Sequence, residues 1–158
     1  MQKRGRCLEG DCHNGYGSML MADGTEYCGQ FKDGMPHGEG MLNSADGSLH
    51  YRGQFFKGVP HGEGSMSMPD GTSYLGEVIN GAPHGRGAMQ FADGRSQEGY
   101  FQNGVMDGMG AAVFPDGTEY RGFFANGQPN GKGTLKRADG QKIAGLWQNG
   151  ELVSKLDE

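Results

Sequence analysis

Apolar and polar residues alternate with a period of two along most of the chain, as in Tyr27-x-Gly29-x-Phe31 and again in Gly38-x-Gly40-x-Leu42. That period predicts strand, not helix, because successive strand side chains point to opposite faces. The pattern returns as Tyr51-x-Gly53-x-Phe55 with His61-Gly62-x-Gly64, then as Tyr74/Gly76/Val78, Gly99/Phe101, Tyr120/Gly122/Phe124 and Gly145/Trp147. Between the two strands of a unit stand Asp33-Gly34, Lys57-Gly58, Asn80-Gly81, Asn103-Gly104 or Asn126-Gly127, turn pairs in which glycine supplies a positive φ. Each unit therefore reads as a hairpin.

Between units, Asp-Gly recurs at Asp23-Gly24, Asp46-Gly47, Asp70-Gly71, Asp93-Gly94, Asp116-Gly117 and Asp139-Gly140, in steps of 23 residues with a single 24. A fixed period of this size marks a repeat array, in which one unit cannot bury its own apolar face and must stack on its neighbours. The expected fold is all-β: an elongated single-layer twisted antiparallel β-meander of stacked hairpins, with little or no helix beyond a short C-terminal cap. A dozen strands at about 4.8 Å spacing would extend about 55–60 Å. The array is expected to fill 1–150, as an atypical first unit at 5–26, units at 27–50, 51–73, 74–96, 97–119 and 120–142, and a partial unit at 143–150. Residues 151–158 are left as a tail or cap.

Parity assigns the faces. One carries Tyr, Gly and Phe from the first strand with Gly, Gly and a medium apolar residue from the second, and is expected to be the concave side, floored by glycine and rings. Tyr27, Phe31, Tyr51, Phe55, Tyr74, Phe101, Tyr120, Phe124 and Trp147 line it, and they first have to stabilise a sheet without a second layer. The same groove suits an amphipathic helix or an extended protein segment. The other face is polar in the early units, with Glu26, Gln30, Glu39, Arg52, Gln54, Glu63, Glu77 and Arg86, and turns apolar later at Tyr100, Met109, Ala111, Val113, Phe123, Ala144 and Leu146. Such an area calls for a partner, a second copy, or a cover supplied by Leu152, Val153 and Leu156.

Composition supports a thin sheet over a thick core: of 158 residues, 32 are glycine and only 34% are hydrophobic. A net charge of -5 argues against a nucleic-acid binder, which needs a basic field. Lys132, Lys136, Arg137 and Lys142 gather near one end, where contact with an anionic membrane lipid is conceivable. No stretch approaches the roughly 20 apolar residues of a spanning helix. Cys7 and Cys12 are close enough to staple the first hairpin, although reduced thiols fit equally, and Cys28 makes the count odd. The expected setting is cytoplasmic, or peripheral to membrane or cytoskeleton, with secretion and the periplasm left open.

No chemical constellation stands out from the repeat. His37, His61 and His84 recur one hairpin apart, about 9–10 Å by strand spacing, whereas zinc needs its ligands at roughly 2.0–2.1 Å from one centre. No metal and no cofactor are expected. The six aspartates of Asp-Gly are turn formers, since catalysis needs one constellation and folding needs all six.

These units, with Tyr-x-Gly-x-Phe followed by Gly and His-Gly-x-Gly, resemble the MORN family (membrane occupation and recognition nexus) over roughly residues 5–150. The resemblance implies a single-layer sheet of hairpins acting as an interaction scaffold that engages proteins, self-associates or contacts phospholipids, with no catalytic activity in the repeats. It also allows the chain to be the accessory repeat region of a longer enzyme. Departures from the pattern are Gln97 and Ile143 for Tyr, Val78 for the ring, Asp107 and Asn130 for His, and one additional residue among Ser48, Leu49 and His50.

Overall fold

The computed structural model describes residues 5–156. They form fourteen strands in one open antiparallel sheet, in chain order, and none of the described residues is helical. The chain divides into two compact units, residues 1–82 and 83–158. The first holds β1 (Arg6–Gly10), β2 (Tyr16–Leu20), β3 (Glu26–Lys32), β4 (Met35–Asn43), β5 (His50–Phe56), β6 (Val59–Ser67) and β7 (Ser73–Ile79). The second holds β8 (Ala82–Gln90), β9 (Ser96–Gln102), β10 (Val105–Val113), β11 (Glu119–Ala125), β12 (Gln128–Lys136), β13 (Lys142–Gln148) and β14 (Glu151–Lys155).

Two kinds of turn alternate, as the dipeptides require. Asp33, Lys57, Asn80, Asn103, Asn126 and Asn149 all have φ between 49° and 52° and are followed by a glycine of positive φ, the type I′ geometry that matches strand twist. At the Asp-Gly turns the aspartate carboxylate accepts the N–H of the residue two further on, at 2.9–3.0 Å in all six: Asp23–Thr25, Asp46–Ser48, Asp70–Thr72, Asp93–Arg95, Asp116–Thr118 and Asp139–Gln141. Where one residue is added, the turn closes from Ser44 to Leu49 instead, and the Ser48 and Ser44 hydroxyls also donate to Asp46. These donors, led by Ser48, hold the Asp46 carboxyl down at about 2.

In the hairpins β3–β4, β5–β6, β9–β10 and β11–β12 the second strand carries a bulge at the His-Gly positions or their Asp107-Gly108 and Asn130-Gly131 counterparts, as between Phe31↔Pro36 and Gly29↔Gly40. Gln30 fills the break, its side-chain oxygen accepting the Glu39 N–H at 2.7 Å, and Gln54 does the same for Glu63 at 2.8 Å. Successive hairpins are then tied outside the ladder. The turn glycine donates to the carbonyl of the residue two past the preceding turn glycine: Gly58 to Pro36 and Gly81 to Pro60 in the first unit, and Gly104 to Pro83, Gly127 to Met106 and Gly150 to Pro129 in the second, at 2.9–3.1 Å.

The core is a row of rings lying on glycines. Tyr27, Tyr51 and Tyr120 fold back over their own hairpins, and each hydroxyl donates to the carbonyl three residues on, that of Gln30, Gln54 and Phe123. A methyl group at Gly40 would fall 2.2–2.5 Å from the Tyr27 ring and hydroxyl, and Gly64 and Gly133 stand in the same relation to Tyr51 and Tyr120. Edge-to-face contacts join each of these tyrosines to the phenylalanine of its own hairpin, and Tyr27 and Tyr120 also to the ring of the next repeat: Tyr27 to Phe31 and Phe55 at 5.0 and 4.8 Å, Tyr51 to Phe55 at 5.1 Å, Tyr120 to Phe124 and Trp147 at 5.1 and 5.5 Å.

Where tyrosine is missing, the space is filled from the next strand. Gln97 stands in a tyrosine position, and in the same repeat Met106 replaces the proline; its ε-methyl lies 2.1 Å from where a Cβ on Gly110 would be, and its side chain is fully buried. Ile143 and Leu152 repeat the exchange, with a Leu152 methyl over Gly145. This corrects the expectation of a C-terminal cap. The tail is strand β14, paired with β13 through Trp147↔Leu152 and Leu146↔Ser154, because Leu152 is needed as the missing ring.

Two outcomes test this packing. Gly64→Ala should cost about 1–3 kcal/mol of unfolding free energy by overpacking, and much less in a Tyr51→Leu background, as read by a double-mutant cycle in denaturant. Burial, first, and then nearby acidic groups (Cys28 and Glu39 at Tyr27, Glu39 and Glu63 at Tyr51, Glu77 and Glu63 at Tyr74) push the phenols of Tyr27, Tyr51 and Tyr74 up to about 12 from an ordinary 10.0. A raised folded-state pKa contributes stability that is complete below about 10 and is lost as pH rises towards about 12. In an alkaline titration, tyrosinate absorbance from these residues should therefore rise together with loss of the far-ultraviolet strand signal; ionisation near 10 with the sheet intact would contradict the burial argument.

Candidate protein-interaction surface

The two faces of the sheet differ in what they leave available. On the ring face the nine residues expected to line a groove, Tyr27, Phe31, Tyr51, Phe55, Tyr74, Phe101, Tyr120, Phe124 and Trp147, are only 0–8% exposed. Their polar atoms are also engaged: the Trp147 indole N–H donates to the Gly133 carbonyl at 3.1 Å, and the Tyr74 hydroxyl to that of Glu77 at 2.7 Å. A segment laid on this face would meet little of the rings.

The opposite, open face of the second unit presents bulky apolar side chains in a row across the strands. Arg86 faces Tyr100, Met109 faces Phe123, and Lys132 faces Leu146. Tyr100, Met109, Phe123 and Leu146 are 43–49% exposed, with Val113 nearby at 39%. In the adjoining row small residues are interspersed with charged ones: Ala88 opposite Glu98, Ala111 opposite Glu98 and Arg121, and Thr134 opposite Arg121 and Ala144. A bulky apolar ridge edged by the charged side chains of Glu98 and Arg121 is a surface against which another can pack. The tail does not cover it, since β14 extends the sheet edge.

The four basic residues picked out along the chain are only partly brought together. Lys136 and Lys142 face one another directly, and with Glu119, Arg121 and Thr134 they line a hollow of about 390 Å³. Lys132 lies in the apolar row, and Arg137 sits at the turn, its N–H bonded to the Gln141 carbonyl. Arg121 was not among the sequence candidates; the parity of β11 puts it on this face, where Glu119 holds it at 2.8 Å.

In the first unit, sequence reasoning missed a second hollow, of about 470 Å³, with Tyr16, Cys28, Met41 and Arg52 around a floor of Gly17, Gly29 and Gly40, and with Glu9 at its rim. The available signal was Tyr16, an aromatic where Glu39, Glu63, Arg86 and Lys132 stand in other units. A disulfide joins Cys7 and Cys12 beside it, and Cys28 is a free, exposed thiol. His37 and His61 flank the exposed Phe56 ring at 5.3 and 5.9 Å, and His37 Nδ1 accepts the Lys57 N–H at a long 3.5 Å. Among the described residues no three His, Cys, Asp or Glu side chains are placed to hold a metal ion.

No curated protein sequence matches the chain. Among solved structures, the TCP domain of SAS-4 (dCPAP) of Drosophila melanogaster, in complex with a proline-rich motif of Ana2 (dSTIL), is similar over 82% of this chain and 76% of that one. At 16% identity and a TM-score of 0.36 the likeness is too distant to bear on function. A family model for the MORN repeat matches residues 27–49, 51–73, 74–94, 98–119 and 120–142. With hairpin, turn and ring positions recurring in the same register, this chain belongs to the MORN-repeat family.

Proposed function

We propose that the protein is a non-enzymatic interaction scaffold whose docking surface for other protein chains is the open face of the second unit. One observation carries the reading: the apolar row of Tyr100, Met109, Phe123 and Leu146 is nearly half exposed, while the apolar residues of the ring face are consumed by packing. Exposed apolar side chains clustered in this way, with Lys132 among them, mark interaction sites. The recurring polar groups have structural duties that leave them little scope for chemistry. The Asp-Gly carboxylates accept turn N–H groups and the tyrosine hydroxyls close onto backbone carbonyls. Repeats of this family are a non-enzymatic type, which agrees with that assignment.

Selection of displayed random peptides on the immobilised protein tests the reading. Enriched peptides should bind the wild type and lose at least about tenfold in affinity, roughly 1.4 kcal/mol, on a Phe123→Ser/Leu146→Ser variant. Both side chains are exposed, so the variant is expected to keep its strand signal and melting temperature. Peptides that bind both proteins equally, or no enrichment over a blank surface, would sink the proposal.

A further inference from the structure

The first hairpin, β1–β2, has no tyrosine in its first strand, and a disulfide stands where the ring would be. Cys7 pairs with Met19 as Tyr27 pairs with Leu42, Tyr51 with Met66 and Tyr120 with Leu135. Cys12, bonded to Cys7, sets its Sγ 3.0 Å from where a Cβ on Gly17 would be. Gly17 stands in one glycine row with Gly29 and Gly40, and Gly40 is the glycine that Tyr27 covers. The cover over Gly17 is therefore a bond that can be broken and remade, where Gly40, Gly64 and Gly133 lie under rings.

That bond anchors the loop from Asp11 to Gly15, and the loop ties down the hairpin that follows. The Gly15 carbonyl accepts the Phe31 N–H at 2.7 Å, the Asn14 side-chain oxygen that of Asp33 at 3.0 Å, and the His13 carbonyl that of Gly34 at 2.9 Å. In the later hairpins of this unit Gly58 and Gly81 donate in the same way to Pro36 and Pro60 of the repeat before them. The loop thus does the work of a preceding repeat without a ring to hold it. The strand β1 adds little: all five of its residues are exposed, and a bulge interrupts its pairing with β2.

We propose that the Cys7–Cys12 disulfide is a redox-operated lock on this end of the sheet. Oxidised, it holds β1 and the Asp11–Gly15 loop in place; reduced, it releases them, which bares the outer edge of β2 and opens the side of the Tyr16 hollow that Glu9 and Gly10 close. The reductant is a dithiol. One of its thiolates attacks a sulfur of the bond to form a mixed disulfide, and its second thiolate displaces the remaining cysteine. The dithiol leaves as a disulfide, and Cys7 and Cys12 take up two electrons and two protons between them. Cys7 is exposed, so the attack does not require the sheet to open first. A separation of five residues keeps the two thiols close after release, so reoxidation closes the lock again.

Amide-resolved hydrogen exchange on the full chain, with and without dithiothreitol, tests it. Reduction should speed exchange at Phe31, Asp33 and Gly34 by about tenfold or more, leave Gly58 and Gly81 within about twofold, and be reversed when the dithiol is removed and the bond re-forms. Cys7→Ser/Cys12→Ser should match the reduced protein with no dithiol present, and Cys28→Ser should switch as the wild type does. Equal exchange at the three amides in both states would overturn the lock. So would faster exchange at Gly58 and Gly81 as well, which would make the bond a staple of the whole unit, and so would protection that fails to return on reoxidation.

Discussion

Everything in this sheet depends on a ring laid over a glycine. A sheet with no opposing layer has only its own side chains with which to exclude water, and a side chain can cover the neighbouring strand only if that strand offers no Cβ in its way. Gly40, Gly64 and Gly133 meet that condition under Tyr27, Tyr51 and Tyr120. Tyr27 and Tyr120 also pack on the phenylalanine or tryptophan of the following repeat, so stabilising contacts run from neighbour to neighbour, as expected of a repeat array. The exchanges of Gln97 with Met106 and Ile143 with Leu152 show that what is constrained is the filled volume above the glycine, and not the identity of the residue that fills it.

Because that face saturates its own contacts, its rings are left only 0–8% exposed. Its apolar atoms pack on one another and its hydroxyls are closed onto carbonyls, while the turn carboxylates are occupied by backbone N–H groups. The open face is under no comparable constraint. Positions that are Ser, Ala or Gln in one repeat are Lys or Glu in another, with the ladder hydrogen bonds unchanged.

The regular part of this structure was legible in the sequence. Turn dipeptides fixed where strands begin and end, period-two parity fixed which residues share a face, and the added residue near Ser48 read as a lengthened turn and is one. Parity has a limit, however: it tells which face a ring occupies but not whether the ring stands up to form a groove wall or lies down to form a floor. That depends on the side-chain torsion and on the glycine beside it across the strands. The tail failed for a similar reason. Leu152 and Val153 suit a cap as well as a strand, and only the vacancy over Gly145 decides between them. The hollow at Tyr16 was hidden because its walls come from β1 through β5, while the sequence was compared one repeat at a time.

Separating stability from recognition has an energetic consequence. A like-charge pair across two strands costs a few tenths of a kcal/mol to about 1 kcal/mol, which a marginal protein can tolerate only if its core does not depend on the same residues. Glu63 and Glu77 are next to Gly64 and Gly76, yet they project from the other side of the sheet, away from Tyr51. Their repulsion therefore does not strain the ring packing. In a two-layer sandwich both faces of each sheet are committed, one to the core and one to water. Here the second face is free to carry a like-charge pair such as Glu63 and Glu77 without disturbing the ring packing on the first.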